Sequence, residues 1–126
     1  MKEFEVQIKV KISEERMKGL LCCAMEGGSN YWAEIVKYVI PKDADTSTVE
    51  FKHIDIPFIE GCGILIQDQF GDEEPKLLNI DAMKKSLQIM GEKYKWHLDN
   101  FLKENDDAET GDVFLQCALY GDIIYG

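Results

Sequence analysis

With 24 Asp plus Glu against 14 Lys plus Arg, the 126-residue chain carries a net charge of -10, yet 45% of its residues are hydrophobic and 10% aromatic. That composition builds one folded domain over residues 1–126 with a single core, and it excludes intrinsic disorder. Nucleic-acid affinity rests on Lys and Arg displacing counterions, so the charge also excludes a direct nucleic-acid partner. Arg16 is the lone arginine available for any bidentate phosphate contact.

Residues 1–12, MKEFEVQIKVKI, alternate charged or polar with apolar residues from Glu3 onward. Phe4, Val6, Ile8, Val10 and Ile12 share one face of a predicted long antiparallel strand. The same alternation lacks the continuous apolar stretch of a signal peptide, and no window approaches the roughly 18 apolar residues that span a bilayer, so a cytoplasmic protein with no membrane association is expected. Ser13 is placed to cap a helix with Glu14 and Glu15 in its first turn, burying Met17, Leu20, Leu21 and Ala24. Gly27 and Gly28 are expected to stop it through a left-handed glycine. A second strand is predicted from Tyr31 to Ile40, a loop over 42–48, and further strands over 49–58 and 63–68.

After the turn at 70–75 and a short extended piece near Leu77, one long helix is expected from an Asp81 cap through Phe101. Met83, Leu87, Met90, Tyr94, Leu98 and Phe101 recur along it at three and four residues, and Gly91 is its weak spot. Asp106 and Glu109 stand at capping-box spacing before a last helix closed by Gly121. The apolar 123–125 stretch is expected to pack. The pattern is α+β: an antiparallel sheet of about four strands with one long and two shorter helices on one face.

Catalytic equipment is sparse. His53 and His97 are the only histidines, and neither has an acid at a recognisable spacing. Cys22, Cys23, Cys62 and Cys117 contain no Cys-x-x-Cys pair and read as reduced thiols. His53, Asp55, Glu60 and Cys62 are the one local cluster of mixed ligand types, with a spacing that matches no zinc pattern. The chain is therefore expected to be no enzyme and to hold no metal or cofactor. Its glycine-rich stretch, Glu26 to Asn30, follows a helix instead of opening one, which argues against a phosphate loop. Gly27, Gly28, Asn30, Tyr31 and Trp32 are either a helix stop leading two aromatics into the core or a recognition surface.

The segments AMEGGSNYWAEI (24–35) and NDDAETGDVFLQCALYGDIIYG (105–126) resemble a family of small uncharacterised proteins encoded by bacteriophages, prophages and conjugative elements of Gram-positive gut bacteria. Gly27, Gly28, Asn30, Tyr31 and Trp32 carry the first half of that resemblance. Asp107, Asp112, Gln116, Ala118 to Gly121 and the Tyr125-Gly126 pair carry the second. The resemblance implies an accessory protein of a mobile element, at work in a bacterial cytoplasm, and brings no reaction or ligand with it.

Residues 64–126 hold 13 acids against 6 bases, while residues 1–63 hold 11 against 8. This asymmetry suits occupation of a nucleic-acid channel on a host protein. The leading expectation is an interaction protein, an inhibitor of a bacterial defence nuclease such as a CRISPR effector, with self-association allowed for. Its binding surface is expected to combine Gly27, Gly28, Asn30, Tyr31 and Trp32 with Asp72, Glu73, Glu74, Asp106, Asp107, Glu109 and Asp112. A second expectation is a binder that sequesters a nucleotide immune signal, using Arg16 or lysines with Tyr31 or Trp32 for stacking. A third is a metal- or cysteine-dependent activity at Cys62, Cys117 or His53.

Overall fold

In the computed structural model, which describes residues 2–126, five α-helices and a three-stranded antiparallel sheet form an α+β fold. Helix α1 (Glu14–Cys23) begins where Ser13 accepts a hydrogen bond from the Arg16 amide, and it buries Met17, Leu20 and Leu21 as its spacing predicts. It ends by widening into a π-helical turn over Ala24–Gly28. The helix stops at the tandem glycines as expected, but neither Gly27 nor Gly28 takes a left-handed φ, which corrects the expected means of the stop. Glycine is required at position 28 for space, because a Cβ there would lie 2.1 Å from the Ala108 carbonyl oxygen.

Strands β1 (Ala33–Val39), β2 (Gly63–Asp68) and β3 (Lys76–Leu78) pair in the order β1-β2-β3. The β1–β2 ladder runs from Ala33 opposite Asp68 to Val39 opposite Gly63, and a register shift between Ile35 and Lys37 bulges Val36 out of it. Ile64, Ile66 and Leu78 are buried against the helices.

The strand expected over residues 1–12 does not form. Met1 lies outside the described residues. Residues 2–12 join no ladder, and Phe4, Val6, Ile8 and Val10 remain 55–89% exposed. Alternation specifies a strand only when a partner offers hydrogen bonds and a surface to cover its apolar face.

The strand expected over 49–58 is instead helix α2 (Lys52–Asp55) followed by a 3-10 turn over Ile56–Phe58. Pro57 cannot donate to a ladder, and Asp55 organises the backbone before it. The Asp55 carboxylate accepts from the amides of Phe51 (3.0 Å) and Glu50 (2.9 Å) and pairs with Lys18 at 2.9 Å. The Phe51 amide first, with Lys18 and the Glu50 amide adding to it against a burial penalty, holds this carboxyl at about 2 against its ordinary 3.8. Because the folded value is depressed, the stabilisation is complete above about pH 4 and is lost as pH falls toward 2, amounting to about 2 kcal/mol. Asp55→Asn should therefore flatten the loss of stability across that window in urea melts at stepped pH. An unchanged slope would mean that other carboxylates carry it.

The single long helix is two. Helix α3 (Ile80–Lys93) is capped by Asn79, two residues earlier than Asp81, and the chain leaves helical geometry at Tyr94 before α4 (Lys95–Leu102). The break re-aims the second segment so that His97 is buried and hydrogen-bonded to Thr110 at 3.2 Å. Helix α5 (Ala108–Tyr120) takes its cap from Asp107, whose side chain accepts the Thr110 amide, while Asp106 turns to Arg16. Gly121 closes α5 in the left-handed conformation, φ 75°. Every residue from Thr110 to Ala118 is buried, so α5 is the axis around which α1, the π turn, α3, α4 and β3 pack. Among the described residues, no helix is long and apolar enough to cross a membrane.

Candidate functional site

The two segments carrying the resemblance fold onto each other around one carboxylate. Asp112, 8% exposed within α5, accepts hydrogen bonds from the Ser29 hydroxyl (2.8 Å), the Trp32 indole (2.7 Å), the Tyr31 hydroxyl (2.6 Å) and the Gln116 amide (3.0 Å). Gln116 in turn accepts from the amides of Ile124 and Tyr125 and so pins the chain that follows α5. Burial first, with the Asp112 hydrogen bond and charge adding to it, pushes the Tyr31 hydroxyl up to about 12. Trp32 is fully buried. Trp32 therefore takes the core alternative, and Asp112, expected in the binding surface, is internal scaffold.

Tyr31 is 46% exposed even though its hydroxyl is tethered, and its ring meets Tyr125 edge-on at 6.2 Å. Tyr125 also contacts Phe70 edge-on at 5.9 Å. Phe70 is 69% exposed. The Tyr125 hydroxyl donates to Asp68 at 2.6 Å, and that hydrogen bond above all raises it to about 12. Asp68 also accepts the Phe70 amide at 2.9 Å, fixing the turn that presents the ring.

Beside these aromatics lies a shallow basin of about 520 Å³ lined by Glu34, Gln67, Asp68, Gln69, Asp72 and Glu73, with neither lysine nor arginine in its lining. Glu74 is exposed in the same loop, and Lys76 reaches Glu73 from outside the basin at 3.6 Å. Through Asp68, Phe70 and Tyr125 thus adjoin an acidic basin that holds Glu34, Asp72 and Glu73, with Tyr31 against Tyr125 and Glu74 in the loop beside it. Glu34, Phe70 and Tyr125 were not legible as members of this surface. A Phe after Asp68-Gln69 and a Tyr two residues past Ile123 give no sign in sequence that one will support the other.

The remaining expected site residues divide. Gly27 and Asn30 are exposed at the turn, and Gly28 is wedged against α5. Asp106 pairs with Arg16 at 3.0 Å and is largely enclosed. Asp107 is spent on capping, whereas Glu109 is exposed.

A stacking pocket built from Arg16 and Trp32 is not assembled. The Arg16 guanidinium donates to Asp106 and to the Phe101 carbonyl and lies over the Phe101 ring. The Cys22 and Cys117 thiols are not activated. Cys22 is raised to about 11, chiefly by its hydrogen bond to Glu26, and Cys117 to about 11 by burial. His53 pairs with Glu26 and Asp55 with Lys18, so the mixed cluster around them is divided between partners. Among the described residues no group of three or more His, Cys, Asp or Glu is arranged to hold a metal ion.

Comparison of the chain with family models, curated proteins and solved structures finds no match.

Proposed function

We propose that this protein is an accessory factor of a mobile genetic element that binds a bacterial host protein, a defence nuclease of the CRISPR-effector kind, through the surface around Phe70. The observation that carries this reading is the pairing of exposed aromatic rings, Phe70 and Tyr31, with a basin whose charged lining is all acidic. Exposed aromatics in a rigid setting are what interface anchors are made of. A cluster of carboxylates beside them matches the basic channel in which a nuclease holds its substrate and speeds encounter with it. The resemblance of residues 24–35 and 105–126 to mobile-element proteins supplies the bacterial setting. Occupation of the channel needs no chemistry from the inhibitor, in keeping with the raised Cys22 and Cys117 thiols.

Co-expression with a panel of defence effectors, followed by pull-down and phage-protection assays, tests the proposal. The native chain is expected to capture an effector and restore phage growth. Phe70→Ala should weaken capture by roughly 30-fold, the effect of losing an anchor worth about 2 kcal/mol. The triple reversal Asp72→Lys, Glu73→Lys, Glu74→Lys should chiefly slow association and remove its salt dependence. Absence of any captured effector, or protection that survives both variants, sinks the reading.

A further inference from the structure

Residues 3–11 have a property that their isolation in the structure brings out. Their polar face reads Glu3, Glu5, Gln7, Lys9, Lys11, with both acids on one side of Gln7 and both lysines on the other. Their apolar face, Phe4, Val6, Ile8 and Val10, is 55–89% exposed and meets no strand. We propose that this segment is a self-complementary strand that pairs antiparallel with the same segment of a second copy, about a twofold axis at Gln7.

The register follows from charge. With Gln7 opposite Gln7, each Glu3 faces a Lys11 and each Glu5 a Lys9, so all eight charged side chains of the pair meet an opposite charge. On the other face Phe4 meets Val10 and Val6 meets Ile8. Directly opposed side chains are the unit of sheet stability, and like charges there are destabilising. Sliding the antiparallel pair by two residues either way removes half of the acid–lysine contacts. Sliding it by one sets polar against apolar faces. A parallel pair in register would set Glu3 on Glu3 and Lys11 on Lys11. Only one arrangement satisfies both faces, and it is isologous, as a closed twofold dimer requires.

A two-stranded ribbon in water is marginal without a surface to lie on. That surface is adjacent. Residues Val6 to Ile12 stand off from α3 and α4 across an open groove of about 640 Å³ whose apolar lining includes Leu87, Leu98 and Leu102. Leu102 is 41% exposed. The apolar side of a ribbon can close over these residues, which one strand alone leaves open. None of the residues involved belongs to the surface around Phe70, so dimerisation leaves that surface free.

Sedimentation of the full chain should show a dimer in reversible equilibrium with monomer. Two variants separate pairing from general stickiness: Glu3→Lys with Glu5→Lys makes the polar face wholly basic, and Lys9→Glu with Lys11→Glu makes it wholly acidic. Each should be monomeric alone and still folded by circular dichroism, because these side chains are exposed, with a melt that no longer depends on protein concentration. Mixed in equal amounts, the two should form a 1:1 heterodimer, since every acidic position then faces a lysine. A monomeric native chain, dimers of either variant alone, or no heterodimer on mixing would each overturn the proposal.

Discussion

Asp112→Ala is expected to cost about 3–5 kcal/mol, the range seen when one partner of a buried charged network is removed and the others are left without it. Asp112 takes four hydrogen bonds, from Ser29, Tyr31, Trp32 and Gln116, at 2.6–3.0 Å. Alanine leaves a buried indole N–H and a buried hydroxyl with neither water nor acceptor, and each such orphan costs about 1–3 kcal/mol. Against a total stability of about 5–15 kcal/mol this is a large fraction, corresponding to a fall in Tm of about 12–20 °C. Asp112→Asn keeps the shape but turns one accepting oxygen into a donor, so it should fall between Asp112→Ala and Tyr31→Phe, which removes a single donor at a cost of about 1 kcal/mol. Thermal and urea melts of the three variants check the order. An alanine variant within about 1 kcal/mol of the native chain would show that the network is not what joins residues 29–32 to α5.

The second large effect is steric. A Cβ on Gly111 would lie 2.6 Å from the Ala24 nitrogen and 2.7 Å from the Cys23 carbonyl carbon, and a Cβ on Gly28 would lie 2.1 Å from the Ala108 oxygen. All of these are backbone atoms, so no side chain can swing aside and the π turn must part from α5. Gly28→Ala and Gly111→Ala should each cost about 3 kcal/mol, the upper end for overpacking, and the double variant should cost less than their sum because both report on one contact. Gly19→Ala is the control. Gly19 sits exposed within α1 with nothing near its added methyl, so alanine there should stabilise by about 1 kcal/mol through helix propensity. Urea melts giving all three variants the same sign would refute the steric account.

What could be read from the chain depended on how local the cause was. The Ser13 cap, the buried stripe of α1, the 63–68 strand and the Gly121 stop are written within a few residues of where they act, and they stand as expected. In 49–58 the cause is also local, since Asp55 accepts the Glu50 and Phe51 amides, but the loose alternation there suggested the wrong period, and only the pairing with Lys18, 37 positions away, lay out of reach. The Tyr94 break is invisible to helical spacing, since the apolar stripe continues through it. Asp106 loses the capping role to Asp107 because Arg16 claims its carboxylate.

The candidate site was half legible for the same reason. Acid at 72–74 could be counted in sequence, but the separation of Trp32 into the interior and Phe70 onto the surface is decided by Asp112 and Tyr125, whose partners lie 57 to 83 residues away.

The position of α5 along the chain governs the order in which this protein can come into being. The helix around which α1, the π turn, α3, α4 and β3 pack is the last of the five in chain order. Until about residue 120 has left the ribosome, α1, the π turn and the inner faces of the sheet have nothing to close upon. Loop closure over some 80 residues must precede the contacts that reward it, a recipe for slow, all-or-none folding. Apolar surface on the nascent chain is meanwhile exposed to whatever holds unfolded chains in the cell. A stop introduced before Ala108 would thus remove the helix against which α1, the π turn and α3 bury their apolar faces, instead of leaving a shortened version of the fold.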